Sequence, residues 1–186
     1  MKTDLAEKVL AWKLNWFRQS ELEGALLLGK MVRTTSDPWL IERLTKHCSE
    51  EAFHSRLWSE VIKELELPQI RILRSYQSFY ISRSGLPTSL LEVLCFTNIF
   101  ERRVHLHFKK ELNDSRTPTK AKQAYRRMIE DEKGHLSWVA FWLRGQPDSS
   151  KQLERFVAID REVFGEISCK SDRLWEIPNL GDESDV

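Results

Sequence analysis

Apolar positions along the chain recur at steps of three and four residues, the period of α-helices that bury one face. Over about residues 3–34 the stripe reads Leu10, Leu14, Phe17, Glu21, Gly24, Ala25 and Leu28, and Thr3 is placed to cap its start. Thr35, Ser36 and Asp37 make a turn, and Pro38 suits the first position of a second helix reaching about Leu65. That stripe is Leu44, His47 or Cys48, Glu51, His54, Trp58 and Ile62. A third helix is expected from Thr88 or Ser89 to about Asn113, with Leu90, Leu94, Thr97, Glu101, Val104 and Phe108 in line. A fourth runs from Thr119 to Arg144 through Tyr125, Met128, Glu132, His135, Val139 and Trp142, and Gly145 stops it. A fifth, about Ser149 to Ser168, carries Leu153, Phe156, Val157, Val163, Phe164 and Ile167. It shows no inward acid or histidine, so its expected role is packing.

Residues 67–87 break the period. Pro68, Gly85 and Pro87 punctuate them, and they read as a long connection with about one helical turn of its own. The short turn makes the first and second helices antiparallel neighbours. The expected fold is all-α: a four-helix bundle with one long crossover between helices two and three, plus a C-terminal fifth helix. One domain is expected over 1–170, followed by a tail over 171–186 that ends in the acidic run Gly181 to Val186.

Four of these stripes are interrupted by ionisable side chains. The second contains Glu51-Ala52-Phe53-His54 and the fourth Glu132-Lys133-Gly134-His135, each preceded by an acid, Glu50 or Asp131. Residues three apart on a helix share a face, so each Glu-His pair can reach one ion. With 19 Glu and five His in 186 residues, chance supplies about half of one such pair. Two copies, both on apolar stripes, are better explained by a shared task. The first and third helices each add one inward carboxylate, Glu21 and Glu101. Glu23 falls off its stripe and is expected in solvent; His105 and His107 lie beside or off theirs and read as packing or surface residues. Glu50 and Asp131 could each brace the histidine of the opposite helix, since a metal-bound imidazole normally donates its other N–H to a carboxylate.

Composition narrows the setting. The formal net charge is +1, which argues neither for nor against a polyanionic partner. No apolar run approaches the roughly 20 residues that span a bilayer, so no membrane role is expected. Cys48, Cys95 and Cys169 are scattered and odd in number, which suggests neither a disulfide framework nor a zinc knuckle and points to a cytoplasmic setting. The stretch from Arg102 to Arg127 holds nine Lys/Arg against two acids besides Glu101. It reads as a solvated face; nucleic acid is disfavoured as a partner because no RNA-binding module is recognised.

The paired Glu-x-x-His runs, with Glu21 and Glu101 about 30 residues ahead of each, resemble the ferritin-like di-iron carboxylate superfamily over about residues 10–145. The acid before each run is similar to di-iron oxygenases and the ribonucleotide reductase small subunit. The size is closer to rubrerythrins, quinone-ring hydroxylases and tRNA-hydroxylating di-iron enzymes, and Ile99-Phe100-Glu101-Arg102-Arg103 resembles the third-helix motif of the last. The resemblance implies Glu21, Glu51, His54, Glu101, Glu132 and His135 as ligands of two Fe ions (Mn or a mixed Fe/Mn pair being the variant), with Glu51 and Glu101 able to bridge. It implies a non-haem di-iron oxygenase or oxidase that activates dioxygen on a small organic substrate, helped by an electron-donor protein and open to homodimer formation. The competing expectation is a ferroxidase, iron-handling or peroxide-scavenging protein, although rubredoxin-type cysteine pairs are absent. A metal-free helical interaction protein is the third. Gly24 and Thr97 are candidates for a cavity lining, and Tyr125 and Trp58 for core aromatics able to pass an electron.

Overall fold

The computed structural model describes residues 5–170; Thr3 and the 171–186 tail lie outside them, as do the side chains of Ile167 and Cys169. The described chain is all-helical: α1 (Leu5–Met31), α2 (Pro38–Glu64), α3 (Tyr76–Ser84), α4 (Leu90–Asn113), α5 (Thr119–Arg144) and α6 (Ser149–Lys170), with a 3-10 turn at Val32–Thr34. Local chemistry sets the boundaries. The Asp37 carboxylate accepts from the Trp39 N–H, and Pro38 occupies the first turn, where its missing N–H costs nothing. Ser89 and Glu92 form a reciprocal capping box at the start of α4.

The 67–87 connection departs from expectation. It holds a nine-residue helix, α3, rather than a single turn. Its cap is a Ser75–Ser78 box, which lacks the acidic third residue that usually marks such a start. Glu23 is not left to solvent: its carboxylate accepts from the Ser75 hydroxyl and from Gln19. Asn15, fully buried, donates to the Pro68 carbonyl at 3.1 Å and accepts from the Ile70 N–H at 3.0 Å. Polar side chains of α1 thus fasten the connection along the bundle.

The four long helices close a ring: α1 packs on α2, α2 on α5, α5 on α4 and α4 on α1, while α6 covers α4 and α3. Two apolar clusters fill its interior. One includes Leu28, Leu40, Leu44, Leu94, Phe96 and Val139; the other includes Leu14, Trp58, Ile62, Phe108, Tyr125 and Met128. In chain order α2 and α4 pass from the first cluster to the second, and α5 passes the other way. Most of α1 also runs from the second to the first, Trp12 and Trp16 excepted. So α2 and α4 share one sense, and the long 65–89 segment carries the chain back between them. Among the described residues no helix is long and apolar enough to cross a membrane.

The outermost helix also differs from expectation. Asp160 of α6 is an inward acid, 7% exposed. It accepts from the Tyr80 hydroxyl and from Arg103, whose Nε lies 3.3 Å from Oδ1 while a second guanidinium nitrogen contacts Oδ2. This paired, hydrogen-bonded charge pins α6 to α4 and α3.

Candidate metal centre

Glu21, Glu51 and His54, Glu101, and Glu132 and His135 each lie between the stretches of their helix that feed the two apolar clusters, whereas buried His107 and Glu111 lie further along α4. Glu21, Glu51, His54, Glu101, Glu132 and His135 are all buried, none more than 7% exposed. They meet in a polar layer at the middle of the bundle. His47, one turn before Glu51 and 1% exposed, joins them.

Ligand-capable atoms fall into two buried groups that could each hold a metal ion. One is His47, Glu51, Glu101 and His135; the other is Glu21, Glu51, His54 and Glu132; within each, the atoms lie within 4.8 Å of one another. Glu51 belongs to both. Glu101, which the resemblance also made able to bridge, belongs to one.

The imidazoles are oriented from outside. His54 Nε2 stands 3.2 Å from Asp131 Oδ2, and His135 Nε2 stands 3.1 Å from Glu50 Oε2. Each brace crosses from α2 to α5 or back. Asp131 is itself held by Arg127 at 2.8 Å, and Glu50 by Lys46 at 2.7 Å. With Nε2 engaged, Nδ1 of each ring turns inward without a hydrogen-bond partner. His54 Nδ1 lies 3.5 Å from Glu21 Oε2, and His135 Nδ1 lies 3.4 Å from Glu51 Oε1. Carboxylate atoms Glu51 Oε1, Glu101 Oε2 and Glu132 Oε2 also lack partners. Buried polar atoms are nearly always satisfied, so this concentration of unsatisfied ones facing a common centre fits a cation.

The electrostatics agree. Burial, and then the neighbouring Glu21, Glu132 and Glu101, push the Glu51 carboxyl well above its usual range. Burial and Glu132 do the same to Glu101. Burial alone would lower His54 and His135, but contact with Glu21 and Glu132, and with Asp131 and Glu50, raises both to about 9. His47 goes the other way: burial and the adjacent His135 hold it well below the ordinary histidine value. Carboxylates this close share protons or a metal.

Gly24 has a specific reason to be glycine. A Cβ there would lie 2.9 Å from Glu51 Oε2, so the backbone of α1 approaches the shared carboxylate itself. Gly24, expected as a candidate for a cavity lining, is instead a point of close helix approach and does not line the cleft beside the site. Thr97 is buried at 7% but does not line the cleft beside the site. That cleft, narrow and open to solvent at its mouth, runs between α1, α3 and α4 down to Glu21, Glu51, Glu101 and Glu132. Trp16, Phe17, Phe100 and Val104 give it apolar walls, and Tyr76 and Arg103 supply polar groups. Tyr125 and Trp58 are core aromatics, ring centroids 4.9 Å apart.

Sequence reasoning missed His47 as a member of the layer. The available signal was its place four residues before Glu51 on the same stripe, in His47-x-x-x-Glu51-x-x-His54. His107, read as a surface or packing residue, is buried in the cleft wall, and burial with nearby Arg103 lowers it to about 3. Comparison with protein-family models, with curated proteins and with solved structures finds no match to this chain.

Proposed function

We propose that the chain is a ferritin-like di-iron oxidoreductase that uses dioxygen to oxidise or hydroxylate a small organic molecule. The observation that carries this reading is the pair of buried donor groups joined at Glu51, with their unpartnered atoms turned inward. Oxygen-rich sites with a few imidazoles and no thiolate suit iron or manganese better than structural zinc. Four carboxylates balance the charge of two divalent cations. The helix senses, with α2 and α4 alike and a long segment between them, support a ferritin-like arrangement.

Bound there, a ferrous pair would supply two of the four electrons that reduce dioxygen, the organic substrate giving the other two, and an external electron donor would return the metals to the ferrous state. The protein's own contributions are positional. Asp131 and Glu50 fix the rings of His54 and His135, so their Nδ1 lone pairs need no reorganisation. The two apolar clusters exclude water above and below the polar layer. In the cleft, Trp16, Phe17 and Phe100 would hold an apolar body against the carboxylates, and Arg103, itself held by Asp160, would orient a polar end. This apolar approach favours an organic substrate over iron handling, for which carboxylates lining the route would be expected.

The test is oxygen consumption by protein loaded anaerobically with ferrous iron. The proposal expects uptake at least about tenfold faster than that of the same free iron in buffer, with two ions retained per chain. A rate equal to buffer overturns oxygen activation. Accumulation of many ferric ions per chain supports iron handling instead.

A further inference from the structure

His47 raises a question that the six-residue set leaves open. Its Nε2 lies 2.8 Å from Glu101 Oε1 and 3.4 Å from Glu51 Oε1. The first distance is short enough for a hydrogen bond, yet neither ring nitrogen makes one. The two atoms stand within contact distance without a hydrogen bond joining them. His135 stacks on His47, ring centroids 3.6 Å apart and planes 27° apart. His135 Nδ1 and His47 Nε2 both stand 3.4 Å from the same Glu51 oxygen. Such spacings are those of ligand atoms around one ion. Bonds of about 2.1 Å place two ligands about 3.0 Å apart at a right angle and about 3.4 Å apart at a tetrahedral one.

Resting on the di-metal reading above, we infer that His47 is a seventh ligand and that the two metal positions are therefore unlike. One position has two imidazoles, His47 and His135, with Glu51 and Glu101. The other has one imidazole, His54, with Glu21, Glu51 and Glu132. They differ by one nitrogen donor and one negative charge. Imidazole suits iron, nickel, copper and zinc, and cobalt stands between iron and nickel in the affinity order, whereas carboxylate suits manganese. The nitrogen-richer position fills first with Co²⁺, and the oxygen-richer position is the better host for Mn²⁺.

The test is an anaerobic Co²⁺ titration of the full-length metal-free chain, followed by visible absorbance and bound-metal analysis. Wild type is expected to take two ions in two steps separated at least about tenfold in affinity. His47→Gln, which keeps a hydrogen-bond donor but no imidazole, should weaken the tighter step at least about tenfold and leave the other within about threefold. In His47→Ala, added imidazole should restore the lost step. Wild-type constants in both variants would overturn the inference while leaving the di-metal reading intact; a wild type that binds no pair would defeat that reading itself. Should either variant fail to fold, wild type loaded with ⁵⁷Fe²⁺ decides the matter. Two Mössbauer quadrupole doublets of equal area are expected, and a single doublet overturns the inference.

Discussion

The α1–α2 half and the α4–α5 half repeat one plan. Glu21 precedes Glu51 by 30 residues (51 − 21), and Glu101 precedes Glu132 by 31 (132 − 101). Each second helix carries Glu-x-x-His with an acid in front, and each such acid braces the histidine of the other half. Two of their differences touch the donor groups. One turn before the ligand-capable Glu stands His47 in the first half and Met128 in the second, both buried. Three residues after the lone Glu stands Gly24 in the first half and Val104 in the second. The first half therefore brings an extra imidazole and lets its backbone touch the shared carboxylate. Near-repetition builds two buried donor groups that could each hold an ion, and these two differences make the groups unlike.

The comparison can be broken most severely at Glu51, which both groups use. Glu51→Ala should abolish stoichiometric binding of both ions, whereas Glu21→Ala, confined to one group, should leave one. Bound-metal analysis after desalting reads the difference; two ions retained by Glu51→Ala would refute the sharing.

The braces offer a more even test. Asp131→Asn and Glu50→Gln should each lower metal affinity about 10- to 100-fold, the range expected when a partner that orients a ligand is lost. Similar losses would show that the halves are equivalent at this level. A loss in one variant alone would confine the bracing to one half.

Without metal, protonation should govern stability. His54 and His135 are raised to about 9, so the stabilisation they give is complete below 6.5 and lost as pH rises through 9. Glu51 and Glu101, raised above their ordinary value, favour the folded state in protonated form and so act in the same direction as pH rises. His47, lowered, penalises folding only below about 6.5, so it adds no slope above that. The melting temperature of the metal-free protein should fall between pH 6.5 and 9. Loaded protein should not show this fall, because metal binding displaces the same protons. A flat profile without metal would contradict the assigned proximity of these groups.

The smallest effect is expected at Gly24. Gly24→Ala should raise helix stability by up to about 1 kcal/mol, because the atom it meets is the end of a flexible side chain. It should also displace the Glu51 carboxylate and weaken metal binding about tenfold. Stability and affinity moving in opposite directions would separate a site effect from a folding effect. Unchanged affinity would mean that the close approach carries no consequence for the site.

Much of this was legible in the sequence because four helices carry strong stripes with ordinary caps. The ends of α2 and α5 follow from Asp37-Pro38 and Gly145, and the meeting of Glu21, Glu51, His54, Glu101, Glu132 and His135 follows from their place on those stripes. Three features were not. His47 is a histidine on an apolar stripe, where packing is the commoner reason for its presence, and it stands outside a Glu-x-x-His pattern. α3 is short, and its Ser75–Ser78 cap lacks the acid that advertises a helix start. Asp160 is a single acid on an otherwise ordinary amphipathic helix, and its partners Arg103 and Tyr80 come from distant elements that periodicity cannot pair.

The central claim is that the polar layer holds two cations joined at Glu51. Anomalous scattering at the iron edge, from crystals grown after anaerobic loading, tests it most directly. The account predicts two peaks about 3.5–4 Å apart, as in two-metal sites, one beside His135 and Glu101 and one beside Glu21 and His54. No interior peak, or a peak held by surface residues alone, would contradict it.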